Sequence, residues 1–566
     1  MKGVFVMRDK DWKVSLFLAL LLIFGMLVIG QTIKYGGELT LVEPNGAWTP
    51  NFNPFLGGTT NGNPYVIPAM YEPLFYYNPV TGEIVPMLAN AYKWADNNLK
   101  LIITLRSNVK WSDGTPFTAN DVTFTFNLMK QYPALDTNGI WSSMYHLQSV
   151  TASGTNTVEF DFSQPFTPML WYISQVFIVP QHIWSTVQNP VTFANDTNPV
   201  GTGPFLFKSF SAPTNTAVFV KNPNYWMTGE PYIDGFKFTD LDSNNACLLQ
   251  LLKGQADWFN GYVVNVPVSW AAQDPSVNKY WYPVAASPWD LYLNWNSIPA
   301  FANPIFRKAI DLAINKDALW EKVSYKVGPK INMAMVSPAQ GEWMDPTLTT
   351  LAASLASYNP NEAVNLLASI GYHKDSSGNL IGPDGKPFPT LKDIQVAGWN
   401  DFLTAAQLIA ADLKAIGINM TIVQETFAQY YASMQSGTGY DMAIMWTSFG
   451  PSPYFEYNSA FNPTLTAPWG KTAISNFSRY TNPLMTAALE IYSTTSDLRL
   501  QKEAMYTMER IFLEDLPIIP LRWSVGYGVY SERNFVGWPS DSDPYCASGQ
   551  MATGDEEQIL LHVHLK

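Results

Sequence analysis

A tryptophan beside a small polar residue, placed where a strand ends, has the means to hold a ligand that is apolar on its faces and polar at its rim. The sequence repeats this pairing. Trp399-Asn400 follows the apolar run Ile394-Gln395-Val396, Asn294-Trp295-Asn296 follows the strand-like run 290–293, and Trp446-Thr447-Ser448 follows 441–445. Asn45 and Trp48 lie just past an alternating stretch at 37–42, and Trp258 and Asn260 stand at a further strand end. Aromatic rings take apolar C–H faces, whereas amides and hydroxyls take hydrogen bonds. A sugar presents both kinds of surface. The competing reading is that each Trp packs a helix against a sheet, because aromatic residues dominate cores. Three strand ends of one kind favour a ligand cleft lined by them.

The elements that position these residues are legible around 393–423. A short strand is followed by Leu403, Ala406, Ile409, Ala410, Leu413 and Ile416 at helical spacing. Gly417 ends the helix, and 418–423 reads as a second strand. A strand–helix–strand unit makes its two strands parallel, and ligands of open parallel sheets sit beyond the carboxyl ends of the strands. Trp399 and Asn400 stand at such an end. An α/β fold is expected.

Other chemistries lack their residues. A glycoside hydrolase needs two facing carboxylates; Asp113, Asp121, Asp290, Asp441 and Glu456 are present, but none sits in a catalytic motif. No Gly-x-Ser-x-Gly, His-Glu-x-x-His or phosphate loop occurs. The five histidines, His146, His182, His373, His562 and His564, are too scattered to predict a metal centre, and no cofactor is expected. The formal net charge of −13, without any long Lys/Arg run, argues against nucleic acid and anionic membranes as partners. The 566 residues suffice for about three domains, and 47% hydrophobic with 14% charged residues marks a folded chain. The 20 Trp and 29 Tyr exceed what core packing alone calls for.

The N-terminus reads as a secretory signal, residues 1–30. Lys2, Arg8, Lys10 and Lys13 precede an uncharged run at 14–29, which is short for a spanning helix of about 20 residues. Cleavage is expected after Gly30, the alternative being an uncleaved anchor. No cysteine lies near the cut, so a lipid-anchored form is not expected, and the protein should be periplasmic or extracellular. Cys247 and Cys546 are the two cysteines, and the sequence leaves open whether they pair.

A wider pattern now joins these pieces. The run LRSNVKWSDGTPFTANDVTFTF at 105–126 closely resembles the family 5 extracellular solute-binding proteins, the large binding components of ABC importers for peptides, nickel and oligosaccharides. In the same order follow NPVGTGPF (198–205), KNPNYW (221–226), GQADWF (254–259), FRKAIDLAINKDAL (306–319), NPNEAVNLLASIGY (359–372) and EDLPIIPL (514–521). The resemblance covers essentially the whole chain after the signal. It implies a two-lobed periplasmic-binding-protein fold of the large three-domain type, with a hinge and an interlobe ligand cleft. The first lobe would combine 31–65, 203–288 and 522–566; an inserted domain would span 66–202; the second lobe would span 289–521. The chain would cross between lobes near Trp289 and Leu521, act as a monomer, and deliver its ligand to a membrane ABC permease. Asn45, Trp48, Trp258 and Asn260 would face Asn294, Trp295, Trp399, Asn400, Trp446 and Tyr454 across the cleft.

Peptide binders of this family carry an aspartate after the tryptophan of the strand that here ends at Trp446, and it pairs with the peptide ammonium. Phe449 occupies that position, and no acid lies between Trp446 and Phe455. A desolvated ammonium without a counter-charge is strongly disfavoured. The expected ligand is therefore a neutral oligosaccharide, β-linked gluco- or manno-. An oligopeptide is the alternative, with Glu43 or Glu456 as substitute partners for the ammonium.

Overall fold

The computed structural model describes residues 33–44, 48–59, 63–549 and 551–566. The signal at 1–30 and Asn45 lie outside the described residues. The fold is mixed α/β and two-lobed. One sheet has seven strands in the order Asn278–Trp281, Gly528–Ser531, Trp258–Phe259, Glu38–Glu43, Gly235–Asp240, Thr216–Lys221 and Phe205–Ser211. A second has five, in the order Met420–Glu425, Leu391–Val396, Met442–Trp446, Val284–Leu293 and Ile518–Val525. A third, wholly antiparallel, has four within 89–162. The chain thus visits the seven-stranded sheet, leaves for the four-stranded one, returns, and later passes through the five-stranded sheet before coming back.

The strand–helix–strand unit forms as the sequence predicts. Leu391–Val396 and Met420–Glu425 pair in parallel, joined by the helix Asn400–Ala415. That helix buries Phe402, Ala406, Ile409 and Leu413, which recur at the helical period because one face covers the sheet. Gly417 has φ +93, and a Cβ there would stand 2.9 Å from the backbone of Gly378 and Leu380, so both conformation and space demand glycine. The five-stranded sheet is covered on both faces. Tyr292, Ala443 and Met445 enter one core, while Trp289, Leu291 and Ile444 enter the other, following the period-two alternation of strands.

The passages between the two large sheets lie side by side. The chain leaves Trp281 and enters the Val284–Leu293 strand through Tyr282-Pro283, and it leaves Val525 for Gly528 through Gly526-Tyr527. The Gly526 N–H donates to the Pro283 carbonyl at 2.9 Å. Trp289 and Leu521, where the crossings were expected, sit within strands that pair antiparallel with each other. The passages therefore fall a few residues away, nearer the first lobe. Cys247 and Cys546 are both free and buried, in separate cores. Among the described residues no helix is long and apolar enough to cross a membrane.

Candidate ligand-binding cleft

The strands Leu391–Val396 and Met442–Trp446 are parallel neighbours, so both carboxyl ends open on the same side of the sheet. Trp399 and Trp446 consequently meet, with ring centroids 5.9 Å apart and planes 28° from parallel. Phe427 continues the row at 5.5 Å and 28° from Trp399, and Tyr431 follows at 5.8 Å and 27° from Phe427. All four rings line a cavity of about 1630 Å³. Asn244, Tyr262 and Val264, carried by the seven-stranded lobe, line it as well, as do Asn138, Trp171 and Gln175 from the stretch between Glu43 and Phe205 that holds the four-stranded sheet. Thr447, Ser448, Asn458 and Ser459 add hydrogen-bonding groups from the second lobe.

Of the residues expected from the sequence, Trp399, Asn400 and Trp446 line this cavity. Asn294 and Trp295 do not, because the Val284–Leu293 strand runs antiparallel to Met442–Trp446. Its carboxyl end therefore lies at the opposite edge of the sheet. There the Asn294 amide donates to the carbonyls of Gly437 and Tyr440 at 3.0 and 2.9 Å, which makes it a turn residue. Trp295 packs on Tyr480 and under the Arg307 guanidinium. The strand contributes Trp289 instead, which pairs in register with Trp446 and lines the cavity.

The first-lobe candidates are also corrected. Trp48 is buried, edge-on to Phe210 and Phe238, each at 5.4 Å. Trp258 is buried against Trp538 at 5.9 Å. Both are core tryptophans, as the packing reading holds. Asn260 is buried with its N–H donating to Glu43 Oε1 at 3.1 Å; the chain reaches the cavity two residues later, at Tyr262. Tyr454 is buried in a stack on Tyr492 at 4.2 Å. On its helix, Tyr454–Phe461, the residues that reach the cavity are Phe455, Asn458 and Ser459, which share one face by the spacing of three and four.

Electrostatically the cleft is acidic and lacks cations: no Lys, Arg or His lines it among the described residues, whereas Asp242 and Asp401 do. Glu43 and Glu456, the substitutes considered for an ammonium partner, are enclosed within their lobes. Burial pushes both carboxyls well above the usual range, and neither lines the cavity. Phe449 does line it, edge-on to Trp171 at 5.7 Å. Asp401 escaped notice in the sequence although it directly follows Trp399-Asn400; as the second residue of a helix it reads first as a dipole-compensating acid.

The family model of the bacterial extracellular solute-binding proteins, family 5 Middle, matches residues 83–467. A periplasmic oligopeptide-binding protein of an oligopeptide ABC transporter from Thermotoga maritima is 28% identical, with a TM-score of 0.83 over 94% of this chain and 99% of that one. The same Thermotoga protein with mannohexaose bound is 27% identical in the aligned region, with a TM-score of 0.77 over 94% and 100% of the two chains. The peptide transport periplasmic protein SapA of Salmonella typhimurium is 24% identical over 483 residues, covering 81% of this chain and 82% of its own.

Proposed function

The chain belongs to the bacterial extracellular solute-binding proteins of family 5, and we propose that the solute it carries to its ABC transporter is a neutral oligosaccharide, β-linked gluco- or manno-. The observation that carries this reading is the row of near-parallel rings, Trp446, Trp399, Phe427 and Tyr431, along one wall of the cleft. A sugar chain would lay its C–H faces on the parts of these rings left open to the cavity. Asn138, Gln175, Asn400, Ser448, Asn458 and Ser459 supply donors and acceptors for the hydroxyls. A buried hydroxyl left unpaired costs about 1–3 kcal/mol, which is the source of selectivity. A cavity of about 1630 Å³ exceeds the 300–1,000 Å³ or so of sites for single small molecules, so it suits a chain of several units. Phe449 in place of an aspartate, and mannohexaose on the Thermotoga relative, support the same reading.

An oligopeptide is the second reading. It is favoured by Asp242 and Asp401 in the cleft, either of which offers an ammonium group a counter-charge, and by the peptide-binding names of the relatives. Calorimetric titration with a panel of di- to hexasaccharides and di- to hexapeptides separates the two. Saturable binding of at least one neutral oligosaccharide, with peptides inert, is expected; the reverse pattern replaces the first reading by the second.

A further inference from the structure

Asp401 and Arg522 form an arrangement that the binding of a neutral chain does not by itself explain. Asp401 is the second residue of the helix Asn400–Ala415, immediately beyond the Trp399 platform, and it lines the cavity. Its Oδ1 accepts the N–H of Phe402 at 3.0 Å, and its own backbone N–H also turns to the carboxyl. Arg522, on the Ile518–Val525 strand, is buried. Its guanidinium carbon lies over the Trp289 ring, 3.7 Å from the centroid. Nη1 donates to Ser324 Oγ at 2.6 Å and Nη2 to the Tyr527 hydroxyl at 3.4 Å. The Trp289 ring in turn packs on Phe402, the residue after Asp401, at 3.9 Å.

Arg522 is thus linked to Asp401 through the Trp289–Phe402 contact and acts on it by charge, with no ion pair between the two side chains among the described residues. The other titratable groups that face Asp401 are the hydroxyls of Tyr527 and Tyr262. Burial raises the Asp401 carboxyl and Arg522 counters the rise. The outcome is a cavity-lining carboxylate whose lone pairs outnumber the two backbone N–H groups it accepts, beside the rings on which a sugar would stack.

We propose that Asp401 is a specificity-determining residue of the cleft, its carboxylate accepting hydrogen bonds from neighbouring hydroxyls of the sugar unit held on Trp399 and Trp446, with Arg522 as the positioning residue. This rests on the oligosaccharide reading. A carboxylate accepts only, and a pair of hydroxyls supplies donors to match it. An asparagine at 401 keeps the shape but turns one acceptor into a donor. A sugar lacking either hydroxyl would leave a buried charge short of a partner and be rejected.

The test is calorimetry with the same oligosaccharide and peptide panel on the wild type, Asp401→Asn, Arg522→Gln and Arg522→Lys, over a series of pH values, each variant first melted without ligand. Asp401→Asn is expected to fold normally and lose about tenfold or more in oligosaccharide affinity. Wild-type affinity should fall on acidification through the titration of Asp401, and the Asp401→Asn profile should be flat. Arg522→Gln should move that fall to higher pH, and Arg522→Lys should restore it, a pattern that loss of packing alone does not produce. An oligosaccharide held equally by wild type and Asp401→Asn overturns the role of Asp401 and leaves the oligosaccharide reading standing. A panel in which only peptides bind overturns that reading and the hydroxyl recognition with it.

Discussion

Trp399 and Trp446 stand side by side, 47 residues apart in the chain, because the strands preceding them are parallel and adjacent. Neither ring is fully buried, and both line the cavity. Trp48 and Trp258, by contrast, are only 3% and 1% exposed and are enclosed by other aromatic rings. The protein thus uses tryptophan in two ways, and substitution distinguishes them.

Truncating Trp399 or Trp446 to alanine removes apolar contact from the ligand. Losses at such anchor positions are about 2 kcal/mol, roughly thirtyfold in affinity. Trp48→Ala and Trp258→Ala should instead cost about 3–5 kcal/mol of folding stability and leave affinity in the folded fraction intact. Apo melts and titrations of the four variants check both halves.

Phe449→Asp places a carboxylate in the cavity wall where peptide-binding relatives are expected to carry one. Oligosaccharide affinity should fall, because the new charge is desolvated beside Trp171 without a partner. Peptides with a free amino terminus should gain measurable binding. Calorimetry with tri- and tetrapeptides on the variant and the wild type reads this directly.

Stability should fall as pH rises. Burial pushes Asp393 and Glu509 each up to about 8, and Asp555 up to about 7. Glu72 and Glu557 are also raised, chiefly by burial, and face each other with Tyr225 between them. Each folded-state value lies above the unfolded one of about 4, so the folded chain binds more protons than the unfolded chain between the two. The slope of unfolding free energy against pH is then negative across that window. Stability from these groups is full below about pH 4 and is lost progressively up to about pH 8. Thermal melts should show a higher Tm in mild acid than in mild alkali, and Asp393→Asn should flatten part of the difference.

Export predicts its own product. The basic start, the apolar run at 14–29 and Gly30 form one processing unit, so the mature chain should begin near Gln31. Intact-mass spectrometry of the exported protein tests it; a species retaining Met1 or Met7 contradicts it.

What the sequence determined by itself was whatever local periodicity and capping encode. The strand–helix–strand unit of 391–425 follows from apolar spacing and from Gly417. The ordered motifs from 105 to 521 carried the family and, with it, the two lobes. What only the tertiary structure decided was direction and enclosure. The Val284–Leu293 strand looks like its neighbours in sequence, yet its antiparallel course sends Asn294 and Trp295 to the far edge and brings Trp289 to the cleft. Strand direction is set by partners distant in the chain and leaves no local signature. Trp48 and Trp258 carry the same polar company as Trp399, but Phe210, Phe238 and Trp538 enclose them, and an indole is a platform or a core residue according to what packs on its faces. Asp401 reads locally as an ordinary first-turn acid of a helix. That it lines the cleft, with the charge of Arg522 acting on it, is decided by the fold alone.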